Sequence, residues 1–294
     1  MKHPTALHRY TAAAVTSSGK VIDEYSTSFG LACRFLGKAT RRDIGNIYAL
    51  VRLADEIVDG VAQEAGLDLE ATAAELNRLE TQTEAALTTG YSTNLVVHAF
   101  VTTARQHGIT TELTRPFFRS MRADLHRQEH TPESLHDYIY GSAEVVGLMC
   151  LAVFRNMPGT DTSNDDVLVT SARRLGAAFQ KVNFLRDLAT DYAYLGRSYF
   201  PGVDPEEFGE TQKAQLVADI RADLAAAKPG MRRLDARARI GVEMAHRLFS
   251  ELTDALDQRP ACDLLSQRVR VTNPRKFAIA ALTVSTTLLK KNNS

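Results

Sequence analysis

The stretch NIYALVRLADEIVDG, residues 46–60, carries two aspartates four positions apart inside an otherwise apolar run. Set on a helix at about 100° per residue, Tyr48, Arg52, Asp55 and Asp59 share a stripe about 60° wide. Leu50, Val51, Leu53, Ala54, Ile57 and Val58 cover roughly half of the remaining circumference. A helix this apolar is buried over most of its surface, so the stripe is expected to line an internal cavity. Two carboxylates stacked on one face repel each other and are costly to desolvate. They call for a cation. Arg52 brings one charge, and a hard divalent metal would bring more.

A second stretch, GAAFQKVNFLRDLATDYAYLGRSYFP at 176–201, repeats the pattern. On the same wheel Gln180, Asn183, Asp187 and Asp191 lie within a sector of about 80°. Asn183, Asp187 and Asp191 follow one another at helical spacing, so three oxygen donors stand one above another, with Arg186 just off that face. Hard oxygen ligands of this kind suit Mg²⁺, which keeps its waters and takes a few carboxylates plus substrate phosphate oxygens. Paired arginines grip diphosphate oxygens bidentately. A single DxxxD is common on solvated helices; two of them, each beside an arginine on an apolar helix, are not.

The rest of the chain reads as helix. No proline falls between Pro4 and Pro116, alanine and leucine dominate there, and few runs alternate with period two. Helices are expected over 18–36, 40–64, 68–89, 92–107, 110–128, 132–156, 163–195, 205–227, 229–258 and 261–290. Turn residues cluster at the breaks between them, and TPESL and TSNDD offer N-caps. No linker is long enough for a domain hinge, and no internal repeat is seen. The expected architecture is one all-α domain over 1–294, with helices around a central cavity. Within YGSAEVVGLM, Gly141, Ser142, Ala143 and Gly147 admit two readings: the wall of a substrate tunnel, or tight helix–helix packing.

Composition narrows the function. The 294 residues carry 35 basic and 35 acidic side chains, a zero balance that excludes a general nucleic-acid binder but leaves room for a local basic patch. Cys33, Cys150 and Cys262 are scattered outside any metal spacing and read as reduced core residues of a cytosolic protein. His98, His107, His126 and His136 read as surface or capping residues. No secretory signal is expected at the N-terminus. FAIAALTVSTTLL, 277–289, is too short to span a bilayer. With Arg275, Lys276, Lys290 and Lys291 at its flanks, it either lies on a membrane surface or packs on the core as an amphipathic helix.

YALVRLADEIVDG together with QKVNFLRDLATDYAYLGRSYFP resembles the two aspartate-rich signatures of the phytoene/squalene synthase family, the head-to-head prenyl synthases. YSTSF (25–29), YIYGSAEVVGLM (138–149) and QRVRVTNPRK (267–276) extend the resemblance over most of the chain. It implies the all-α isoprenoid synthase fold, in which two prenyl diphosphates bind in a central cavity and Mg²⁺ bridges them to facing aspartates; Mn²⁺ is an alternative ion. By that resemblance Asp55, Asp59, Asp187 and Asp191 are the metal-binding carboxylates, with Asn183 adding an oxygen. Arg52, Gln180, Arg186 and Arg268 contact diphosphate or substrate. Tyr48, Tyr138 and Tyr199 are cavity tyrosines, and Ser28 with Phe29 marks the entry to the first prenyl site.

The sequence departs from the family pattern at three places. Thr27 stands where relatives often carry lysine, the segment from Asp191 to GRSYFP is one residue longer than usual, and His246 or a neighbour replaces an expected tyrosine. The resemblance implies phytoene from two geranylgeranyl diphosphates, without NADPH. Alternatives are squalene or dehydrosqualene from farnesyl diphosphate, NADPH being needed for squalene, and a non-catalytic lipid-binding or assembly-factor relative. A peripheral membrane contact for product release is also implied. The oligomeric state is left open.

Overall fold

A computed structural model describes residues 5–26, 28–127, 129–195, 197–203 and 208–265, together with 279 and 283; for Ser28 and 191–195 it describes the backbone only. Among these residues every element is helical, apart from one isolated bridge between Glu129 and Ser198. The first half holds α1 (Ala6–Tyr25), α2 (Ser28–Cys33), α3 (Lys38–Val58), α4 (Val61–Glu64), α5 (Leu69–Thr89), α6 (Leu95–His107) and α7 (Thr111–His126). Next come α8 (Pro132–Ile139), a π-helical turn (Tyr140–Glu144) and α9 (Val145–Arg155), which form one continuous rod. The chain continues with α10 (Asp165–Leu195), α11 (Glu210–Met231), α12 (Ala236–Asp257) and α13 (Ala261–Leu264).

Local chemistry sets the ends. Asp68 and Asn94 cap α5 and α6 by accepting backbone N–H bonds, and Gly90 and Gly108 close the same helices with left-handed φ. Thr131 and Ser134 form a reciprocal capping box ahead of α8. The expected helix at 18–36 is in fact two, and the first begins at Ala6. Residues 6–17 carry little apolar signal, because α1 buries only Ala14, Ser18 and Ile22, one narrow stripe at i, i+4, i+8. The expected boundary at 227–229 also moves: α11 runs through Pro229 to Met231, where a proline costs one bond near a helix end rather than in its middle. Of the expected 261–290 helix, Ala261–Leu264 is described, and the rest lies outside the described residues except 279 and 283.

Two cores flank the α8–α9 rod. One gathers Leu50, Leu76, Phe100, Phe117 and Met149 from α3, α5, α6, α7 and α9. The other gathers Tyr138, Val182, Leu185, Ile220 and Leu256 from α8, α10, α11 and α12. Each fully buried side chain of this size contributes about 1.5–3 kcal/mol. Pro132–Arg155 is long and apolar enough to cross a membrane, but it is mostly buried inside the protein and packs against α7 and α10. Cys33 is buried and Cys150 partly so, as expected of core residues, whereas Cys262 is exposed. His98 and His107 are not surface residues: His98 is buried against Thr11 Oγ1 at 2.9 Å, and His107 meets Asp43 Oδ2 at 3.2 Å.

The packing reading holds for the two glycines of the rod. A Cβ at Gly147 would stand 2.5 Å from the carbonyl oxygen of Ala172, and one at Gly141 would stand 2.2 Å from that of Pro116. Gly147→Ala gains about 1 kcal/mol of helix propensity but drives a methyl into backbone that cannot swing aside, an overpacking cost of about 1–3 kcal/mol. The variant is expected to melt below the wild type in a thermal scan. An equal or higher melting temperature would mean that α9 and α10 separate freely.

Candidate active site

The first aspartate motif sits at the end of α3. Gly60, at φ 115°, stops the helix, and Asp59 becomes its C-cap, with its N–H on the carbonyl of Asp55 at 2.8 Å. Asp59 is therefore exposed rather than on the buried stripe the wheel implied. Its Oδ1 accepts from Arg197 Nη1 at 3.1 Å. The carboxyl of Asp55, one turn back, has no hydrogen bond or ion pair among the described residues. Burial, and then the charge of Asp59, push its carboxyl up to about 8, against a smaller opposing pull from Arg52. Arg52 does not grip either aspartate: it is bound by Glu56, one helical turn on, and lies 4.7 Å over the ring of Tyr25. Its Nε is buried with no partner among the described residues.

Behind this carboxylate end lies apolar space. Tyr48 stacks on Phe29 with centroids 5.6 Å apart. Phe29 in turn lines a half-open pocket of about 70 Å³ whose wall includes Cys33, Leu36, Cys150, Phe179 and Gly241. The pocket walls come from α2, α3, α9, α10 and α12 and carry no charge.

The second motif occupies the C-terminal half of α10. Gln180 and Asn183 are partly buried, and their side chains make no hydrogen bond among the described residues. Arg186 forks onto its neighbour Asp187, Nε to Oδ1 at 2.9 Å and Nη2 to Oδ2 at 2.5 Å, so this arginine already holds a carboxylate of the motif. The side chains of Asp191 and Ser28, and all of Arg268 and Thr27, lie outside the described residues. His246 is buried and bonded to the carbonyl of Leu224 at 2.9 Å.

Arg197, in the segment just past the second motif, ties that segment to the end of the first motif. Its Nη2 donates to the carbonyl of Val58 at 2.9 Å, and its Nη1 to Asp59 and to the Tyr199 hydroxyl at 3.3 Å. Beyond it lies Asp124 of α7, which accepts from Tyr138 Oη at 2.7 Å and Tyr199 Oη at 3.3 Å. Burial pushes the Asp124 carboxyl up to about 7, although Arg197 and Tyr138 pull it down. Burial would lower the Arg197 guanidinium, but Asp124, Tyr199 and Asp59 hold it above its ordinary value. Tyr199 stacks face to face on Phe184 at 4.0 Å, and His130 closes the other side at 5.8 Å.

The sequence reading missed Asp124, Arg197, Glu56 and His130. Asp124 had a visible signal: it continues the buried spacing Phe117, Ser120, Met121 along α7, a carboxylate where an apolar residue is expected. Among the described residues no three His, Cys, Asp or Glu side chains stand close enough to hold a metal ion.

Known proteins resemble this chain in sequence and in fold. The chain is 32% identical over 205 residues to a phytoene synthase of Pseudescherichia vulneris, a match covering 68% of this chain and 63% of that relative. It is 29% identical to a 4,4'-diapophytoene synthase of Staphylococcus haemolyticus, covering 69% and 68%. The match thus spans under two thirds of the first relative's length. In fold it superposes on a dehydrosqualene synthase crystal structure with a TM-score of 0.79 at 23% identity, over 96% of this chain and 99% of that one. A squalene synthase of Alicyclobacillus acidocaldarius gives 0.71 at 20% identity, over 84% and 94%. Residues 22–275 match the squalene/phytoene synthase model, and the chain belongs to that family.

Proposed function

We propose that the protein is a prenyltransferase that joins two prenyl diphosphates head to head through a cyclopropylcarbinyl diphosphate. The observation that carries this reading is the seam at which Arg197, in the segment after the second motif, holds Asp59 and the carbonyl of Val58 at the end of the first, together with an uncharged pocket elsewhere in the same bundle: charge for a diphosphate head, apolar lining for its tail. The donors fit a hard divalent ion. Among the described residues Asp55 is a partly buried carboxylate with no partner, and Asn183 offers an unclaimed oxygen on the other motif. Asp55, Asp59, Asn183, Asp187 and Asp191 would hold Mg²⁺, or Mn²⁺, which supplies counter-charge to the leaving diphosphate. Arg52, whose Nε has no partner among the described residues, and Gln180 and Arg186 would bind diphosphate oxygens. Arg268 completes that set by family resemblance. Tyr48, Phe29 and the Tyr138–Tyr199 cluster would shield the allylic cation from water and face it with π density.

We favour geranylgeranyl diphosphate as substrate and phytoene as product, with no NADPH. The small side chain of Cys33 in the pocket wall, and the bacterial phytoene synthase relative, support that choice. The similarity to a 4,4'-diapophytoene synthase keeps farnesyl diphosphate as a second reading. Supplying each diphosphate separately, with and without NADPH, and identifying the hydrocarbon by mass spectrometry tests the choice. Phytoene from geranylgeranyl diphosphate, unaffected by NADPH, is expected. A strong preference for farnesyl diphosphate would overturn the chain length, and no hydrocarbon from either would overturn the activity.

A further inference from the structure

We infer that Asp124 and Arg197 act together as positioning residues, fixing the Asp59 carboxylate and the Tyr138 hydroxyl relative to each other. The inference rests on the reading of Asp59 as a metal-holding carboxylate given above. Four separate pieces of chain meet here: the end of α3, α7, α8 and the segment after α10. Their hydrogen bonds run as one chain. Arg197 donates to Asp59 and to Tyr199, Tyr199 donates to Asp124 Oδ1, and Tyr138 donates to Asp124 Oδ2.

The energetics decide which link is fixed. Asp124 and Arg197 are both buried, with side chains 5% and 8% exposed, and stand 4.0 Å apart. Withdrawing either would strand the other's charge in a low dielectric, the costly way to break a buried pair. Asp59, in contrast, is 43% exposed, and an exposed carboxylate at a helix end turns freely unless it is held. Arg197, anchored by Asp124 and by the carbonyl of Val58, therefore serves as a rigid post that holds Asp59 Oδ1. Asp124 likewise orients Tyr138, whose hydroxyl donates to it at 2.7 Å. A purely structural clamp would join the same elements without setting the geometry of the metal carboxylate, and that difference can be measured.

The test uses the full chain and the variants Arg197→Lys, Asp124→Asn, the double variant, Tyr199→Phe and Asp59→Asn. Each is measured for melting temperature, for Mn²⁺ binding by electron paramagnetic resonance in the presence of inorganic diphosphate, and for kcat and KM. Arg197→Lys keeps the charge but loses the fork. It is expected to weaken Mn²⁺ binding about tenfold, roughly 1.4 kcal/mol, and to lower kcat about tenfold or more with KM nearly unchanged. Tyr199→Phe, which keeps the ring on Phe184 but breaks the relay, should move kcat in the same direction. The double variant should be no worse than its more damaged single parent, because residues acting as one unit do not add.

Wild-type Mn²⁺ binding and kcat in a folded Arg197→Lys would overturn the inference, as would losses that simply multiply in the double variant. If Arg197→Lys does not fold, wild-type kcat and Mn²⁺ binding in Tyr199→Phe serve as the same refutation. Asp59→Asn separates the two levels. If it loses metal dependence while Arg197→Lys does not, only the positioning role fails. If it behaves as wild type, the site reading fails and the inference with it.

Discussion

Asp55→Asn is expected to lower turnover at least tens-fold and, at the same time, to raise the melting temperature of the metal-free protein at pH 8. The first effect follows from losing a charged ligand for the diphosphate's counterion, a few kcal/mol of transition-state stabilisation. The second follows from the carboxyl's position. Its folded value of about 8 lies well above the ordinary 3.8. A raised carboxyl pKa means that the folded state holds the proton more tightly than the unfolded state. The stability this group lends is complete below the ordinary value and is lost as pH rises from about 4 through about 8. Asparagine carries no charge to desolvate, so the variant escapes a cost on the order of a few kcal/mol, trimmed by the partial solvent access of the site.

Asp59→Asn, Asp187→Asn and Asp191→Asn should lose turnover on the same scale. Asp59→Asn and Asp187→Asn should not gain stability, because Arg197 and Arg186 already neutralise these carboxylates. Steady-state assays and thermal scans of the EDTA-treated proteins at pH 5 and pH 8 check both effects. An Asp55→Asn variant that turns over normally would remove Asp55 from the metal set. One that is no more stable at pH 8 would show that Asp55 is solvated in the folded protein.

Removal of divalent metal is expected to abolish activity, and Mg²⁺ to restore it. Without a multivalent cation, the carboxylates of both motifs would face a diphosphate with nothing but arginines between them. Two of those arginines are committed: Arg186 to Asp187, and Arg197 to Asp59 and Asp124. Calcium should substitute poorly, since it prefers larger and looser oxygen shells. Turnover that persists through exhaustive chelation would mean that arginine alone handles the leaving group.

Helix periodicity made much of this architecture readable, because an apolar stripe at 3.6 spacing announces its own burial. Both aspartate motifs were legible for the same reason: a charge inside such a stripe is conspicuous. What stayed hidden depended on where helices stop and on contacts between distant segments. The wheel carried Asp59 onto the inner face because it took the helix as running on, and Gly60 ends it. It assigned Arg52 to the aspartates, whereas Glu56 competes from the adjacent turn. The meeting of Arg197 with Asp124 joins residues 73 positions apart (197 − 124), and no local pattern encodes it. The start of α1 was missed because a helix that buries two small residues and one isoleucine offers almost no hydrophobic contrast.

The π-helical turn at Tyr140–Glu144 has a consequence for helical phase. In an uninterrupted α-helix, positions 138, 145 and 149 would fall within about 40° of one another and share one face. Here Tyr138 belongs to one core and Val145 and Met149 to the other. A π turn accommodates one extra residue, so the two flanks differ in phase by about 100° from what the residue count implies. One rod thereby shows different faces to the two halves of the protein. Tightening that turn into an ordinary α turn would swing Tyr138 by the same angle relative to α9, off Asp124 and toward the wrong core. The orientation of this tyrosine is thus set by a single surplus residue in the turn that follows it.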